Sequence, residues 1–160
     1  MLREDAVTHM TDVMAKFLAF TGKRLPDDVR AKIANLAAQE EEPLAKAIYQ
    51  TMTKNQELAM KLNRPSCQDT GAIQFFINCG SEFPYMAELP SLLREAVVQA
   101  TKDAPLRHNA VETFDEYNTG KNVAKGIPSC SGISCRAAMT VKSTRIWPAA
   151  AVLCQAMPRC

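Results

Sequence analysis

Apolar positions recur at helical spacing along most of the first hundred residues and switch once to a strand-like rhythm. Between Glu4 and Phe20, Val7, Met10, Met14, Phe17 and Leu18 share one face and predict an amphipathic helix. Thr21, Gly22, Lys23 and Arg24 break that pattern. Leu25, Pro26, Asp27 and Asp28 then supply an apolar staple and first-turn acids for a second helix to Gln39, with Val29, Ile33 and Leu36 as its inward stripe. Glu40, Glu41 and Glu42 precede Pro43 and suit the positive N-terminal end of a third helix. That helix is expected from Pro43 to Leu62, with Leu44, Ile48, Met52, Ala59 and Leu62 inward.

Pro65 bars further regular helix and delivers the next residues onto a loop. Ala72 to Cys79 mixes aromatic and β-branched residues and predicts a buried strand ended by Gly80. Ser91 is the expected N-cap of a helix to Thr101 that buries Leu92, Leu93, Ala96, Val97 and Ala100. Helices first and mixed elements afterwards argue for a helix-rich α+β fold rather than a doubly wound sheet.

With 160 residues, 47% of them hydrophobic, the chain can bury one ordinary core. No apolar run reaches the length of about 18 that spans a membrane. The opening MLREDAVTHM carries acids where a signal peptide needs a basic patch, so a cytoplasmic location is expected. Charge divides the chain. All 17 acids fall within residues 1–125 beside 15 Lys and Arg, a net of −2, whereas residues 126–160 hold four Lys or Arg and no acid. Four scattered cations do not make a nucleic-acid surface.

Candidate chemistry starts at Pro65 to Gly71, PSCQDTG, which sets the thiol of Cys67 beside the amide of Gln68 and the carboxylate of Asp69. A thiolate is a soft metal ligand, yet a lone Cys is equally a small buried hydrophobe, and the residue types leave both readings open. Arg107, in PLRHN, has the planar fork that meets a carboxylate with two parallel hydrogen bonds, and it is also a residue type common on surfaces. Asn118 to Asn122, NTGKN, fails as a phosphate loop because Asp115 and Asn122 stand where Gly and Ser or Thr are required; an Asn–Gly turn is the plain alternative. His9, with no second His nearby, is read as an ordinary surface histidine.

Taken together, PSCQDTG, PLRHNAVE at Pro105 to Glu112, and NTGKN resemble the iron-sulfur hydro-lyase family of class I fumarases and L(+)-tartrate dehydratases. The likeness is greatest to the alpha subunits of its tartrate-dehydrating members and covers residues 3–128. It implies a [4Fe-4S] cluster held by three cysteines, with the fourth iron open to the substrate's hydroxyl and a carboxylate. Cys67 is then the first cluster ligand. Gln68 and Asp69 contact the substrate or the leaving water, Asp69 is the proton-transfer group, and Arg107 binds a substrate carboxylate. Thr70, His108, Asn118 and Gly120 fall near the site, Gly120 for its backbone conformation. The expected reaction is dehydration of L(+)-tartrate to oxaloacetate, with fumarate hydration to malate as the alternative. A beta subunit is the implied partner, in an alpha2-beta2 assembly.

The six cysteines, Cys67, Cys79, Cys130, Cys135, Cys154 and Cys160, include no CxxC pair of the kind that marks zinc ribbons. After Pro128 the resemblance stops, and residues 129–160 form an atypical, acid-free tail expected to be irregular. Permitted codons for Ser131 to Cys160, moved by two nucleotides, give a string containing GGGC that resembles the family's continuation, and a frameshift accounts for it. On that reading residues 1–128 are the N-terminal part of the catalytic domain and the chain alone is inactive. The reading from another class is a non-catalytic fragment that binds the beta subunit or a copy of itself through apolar surface.

Overall fold

A computed structural model describes residues 3–67, 72–79, 83–112, 114–134, 140–146 and 151–155. The described elements open with three helices, α1 (Arg3–Lys23), α2 (Asp27–Gln39) and α3 (Pro43–Lys61), followed by strand β1 (Ala72–Cys79) and helix α4 (Leu89–Asp103). Two short strands, β2 (Val111–Glu112) and β3 (Tyr117–Asn118), form a hairpin, and β4 (Ser129–Ser134), β5 (Thr140–Ile146) and β6 (Ala151–Gln155) complete a sheet of order β4-β1-β5-β6. β1 runs parallel to β4, with Gln74 opposite Ser129, and antiparallel to β5, with Phe75 opposite Ser143. The helix-rich α+β expectation agrees with this arrangement.

The core is where α1, β1 and α4 meet. Phe75 is 0% exposed, and Leu92, Leu93, Ala96 and Val97 of α4 close over it with Leu18 and Ala15 of α1. Small side chains let the two helices approach. Asp12 of α1 accepts from Gln99 Nε2 of α4 at 3.2 Å and pairs with Lys16 one turn on at 2.6 Å. At the other end Arg3 Nε donates to Glu88 Oε1 at 2.9 Å and fastens the start of α1 to the start of α4.

Several expectations are corrected. α1 does not stop at Phe20 but continues to Lys23, because Gly22 is buried and its carbonyl accepts from Ser66 N at 3.0 Å, a contact that stabilises the last turn. α4 starts at Leu89 with Glu88 as N-cap. Ser91 lies inside its first turn and donates back to the Glu88 carbonyl at 2.8 Å.

The larger correction concerns α2 and α3. Their predicted stripes are real in periodicity but are not buried: Val29 and Leu36 are exposed, Leu44 is 70% exposed and Ile48 54%, and Ala59 is the one buried residue of the pair. Periodicity reports that a face is apolar, and packing depends on a neighbour to cover it. Here α2 and α3 touch each other and α1 lightly, while α1 and α4 pack along their length. The tail expected to be irregular instead carries β4, β5 and β6, because β1 has ladder groups on both edges and the tail supplies their partners.

Candidate functional site

The segment Leu106 to Ala110 is held at both ends and open in the middle. Leu106 N–H donates to the Thr101 carbonyl at 3.2 Å as the chain leaves α4, and Leu106 and Ala110 are each 2% exposed. Arg107 and His108 lie between these anchors and are solvent-exposed. Burying the flanking aliphatics therefore presents the cationic fork and the imidazole to solvent from a fixed backbone.

Three main-chain groups in succession bind the second motif. Asn118 Nδ2 donates to the His108 carbonyl at 2.7 Å, the Asn109 N–H donates to Asn122 Oδ1 at 2.7 Å, and Thr119 N–H donates to the Ala110 carbonyl at 3.2 Å. The β2–β3 pairing continues this ladder, with Val111 opposite Asn118. The same Asn118 side chain accepts from Gly120 N–H at 2.8 Å, closing an Asx turn. Gly120 takes φ +68°, where a side chain is strained, and a Cβ there would meet the His108 Nδ1 at an ordinary contact distance of 3.8 Å, so the backbone conformation is what calls for glycine. PLRHN and NTGKN are thus one hydrogen-bonded unit. Within this unit the Asn118 side chain donates to the His108 carbonyl and accepts from the Gly120 N–H.

Asn122, Asn109 and Thr101 were missed by the sequence reading. Asn122 is 5% exposed with φ +56°, a conformation Asn tolerates, and no motif spacing distinguishes it from a surface turn residue.

Cys67 is a free, exposed thiol in the segment between α3 and β1. Gln68, Asp69 and Thr70 lie outside the described residues, so their relation to Cys67 and Arg107 is a sequence expectation. Cys67 and Ser66 border a cavity of about 850 Å3 shared with Leu106 and Ile73. Its other walls mix apolar side chains from Leu18, Val29, Ile33 and Met52 with the polar Asn55 and Gln56, and Arg24 and Arg30, both paired with Asp27, also line it.

For an iron-sulfur cluster, Cys67 offers one suitable soft donor in an accessible position. Among the described residues no group of three His, Cys, Asp or Glu could hold a metal ion. These residues fit one corner of a cluster and not a whole one. Cys130, also free and exposed, is the second residue of β4; local burial pushes its thiol up, and Arg94 offsets this only in part.

Among the described residues no helix is long and apolar enough to cross a membrane. A family model described as fumarate hydratase (Fumerase) matches residues 11–143. The L(+)-tartrate dehydratase subunit alpha of Escherichia coli is 51% identical over 126 residues, 79% of this chain and 42% of that protein, and that of Shigella sonnei gives the same figures. A putative fumarate hydratase class I of Geobacillus stearothermophilus is 32% identical over 116 residues, 72% of this chain and 22% of that protein. The chain spans less than half the length of these curated relatives. With the family model covering most of its residues, the chain belongs to the fumarate hydratase family.

Proposed function

We propose that this chain is the N-terminal part of the alpha subunit of an iron-sulfur hydro-lyase that dehydrates L(+)-tartrate to oxaloacetate. The observation that carries the reading is the 51% identity over 126 residues to proteins named L(+)-tartrate dehydratase subunit alpha. The unit made by PLRHN and NTGKN supports it, because it holds an exposed arginine on a fixed backbone, as recognition of a planar carboxylate requires.

In this reading Arg107 takes one carboxylate of the substrate in a bidentate pair, which sets orientation as well as charge. Asp69 moves the proton at the neighbouring carbon and Gln68 contacts the substrate or the departing water. Cys67 would hold one corner of a [4Fe-4S] cluster, which when bound supplies a Lewis-acidic iron for the leaving hydroxyl. The other cluster ligands belong to sequence that this chain does not contain, and a beta subunit completes the assembly in the cytoplasm. The chain alone then neither keeps a full cluster nor turns over substrate. We attribute residues 129–160 to a shifted reading frame, which nucleotide sequence across codons 126–160 and beyond tests directly.

The experiment is a rate comparison on L(+)-tartrate and malate with the completed alpha subunit and its beta subunit. Preference for tartrate supports the reading, and preference for malate replaces it with fumarate hydration, which the Geobacillus relative favours. The exposed apolar faces of α2 and α3 favour a second reading, a non-catalytic fragment that binds the beta subunit. Co-purification with the beta subunit and no activity from the completed pair would establish it.

A further inference from the structure

We infer that Asn122 is the positioning residue of the candidate anion site, fixing the backbone that presents Arg107 and His108 by locking Asn109 to helix α4. The inference deepens the proposed function and rests on it for the role of Arg107. The contacts have one self-consistent orientation. Thr101 Oγ1 donates its proton to the Val97 carbonyl at 2.7 Å, so toward Asn122 it can only accept, and Asn122 Nδ2 donates to it at 3.1 Å. That choice turns Oδ1 toward Asn109, whose N–H donates to it at 2.7 Å.

One amide therefore links three pieces: the end of α4, the arginine-bearing segment and the NTGKN turn. It does so at 5% exposure, where a lost partner leaves buried polar groups unsatisfied. Asn118 holds the His108 carbonyl, but its side chain is exposed, and water can replace it. Of the two NTGKN asparagines, Asn122 is the buried one.

The test uses the full chain, isotope-labelled, with amide exchange and NMR spectra of the wild type, Asn122→Ala and Asn122→Asp. Asp keeps an acceptor for Asn109 and tolerates positive φ but loses the donor to Thr101; Ala loses both contacts. Loss of that bond should speed Asn109 exchange about fivefold relative to Ala100 in α4, as a hydrogen bond of about 1 kcal/mol implies, and shift the Arg107 and His108 signals, while Asp restores only part of the protection. Unchanged Asn109 exchange and unchanged Arg107 and His108 signals in Asn122→Ala overturn the inference. Should the Ala variant not fold, the wild type still decides: a scalar coupling across the Asn109–Asn122 hydrogen bond supports it and its absence overturns it. Titration with L(+)-tartrate separates the two claims. A wild type whose Arg107 signals ignore tartrate removes the carboxylate-binding role, while the exchange result alone still decides whether Asn122 fixes this backbone.

Discussion

Asn118 holds His108 by its main chain and not by its ring: the amide donates to the His108 carbonyl at 2.7 Å while its oxygen accepts from Gly120 at 2.8 Å. One side chain thereby joins two motifs separated by a hairpin. Asn118→Ala should cost about 1 kcal/mol in urea unfolding, the net worth of a solvent-accessible hydrogen bond of this type. Gly120→Ala should cost a similar amount, about 1 kcal/mol, through backbone strain at φ +68°. A neutral result for Gly120→Ala would mean that the turn adopts another conformation.

Core and hairpin should respond oppositely to truncation. Leu93→Ala, at a fully buried position against Phe75 and α1, is expected to lose about 2–5 kcal/mol. Ile48→Gln, on the open face of α3, should stay within about 0.5 kcal/mol. The pair of denaturation curves checks whether α3 is packed. A large loss from Ile48→Gln in the isolated chain would show that its face is covered.

Much of this architecture was legible because helical periodicity and Pro placement are local signals. β1 lies at Ala72–Cys79 as expected, and Pro43 opens α3. What failed was tertiary. Leu44 and Ile48 have the spacing of a core stripe, but spacing cannot say whether a partner element covers them. Arg107, His108 and Gly120 could be given a part from motif strings, whereas Asn122, though the last residue of NTGKN, could not. Its importance comes from burial beside Thr101, and burial of a polar residue leaves no mark in the sequence when the partner is 21 positions away.

The two described free cysteines should differ toward iodoacetamide at about pH 8, where reactivity follows the thiolate fraction. Burial pushes the Cys130 thiol up, so Cys130 should alkylate more slowly than Cys67. Peptide mass mapping over time reads this order, and faster modification of Cys130 would contradict the local environment described for β4.

Acid should loosen two defined places. The Lys16 hydrogen bond holds Asp12 below its ordinary value of 3.8, and the Arg24 hydrogen bond does the same for Asp27. A carboxylate lowered in the fold stabilises it above the unfolded value, and that contribution disappears as pH falls through the folded value. Stability should therefore decline below pH 3.8, and Asp12→Asn should flatten the decline. An acid limb unchanged by both Asp12→Asn and Asp27→Asn would assign acid sensitivity elsewhere.

Anaerobic reconstitution of the isolated chain with iron and sulfide should yield well under one cluster per chain, since one thiolate cannot replace a full ligand set. Cys67→Ser should lower the residual absorbance, with the remainder held by the other thiols. A stoichiometric cluster that responds to tartrate would overturn the view that the remaining ligands are missing.

Ala59 as the sole buried residue of α2 and α3 implies that the chain does not open as one cooperative unit. Amides over 27–61 should exchange through partial openings that leave α4 closed, while the interior of α4, with Leu92, Leu93, Ala96 and Val97 buried, exchanges only when the whole domain unfolds. A protease that nicks this hairpin would therefore sample a state the folded core tolerates, and the α1–β1–α4 body would outlast the cut.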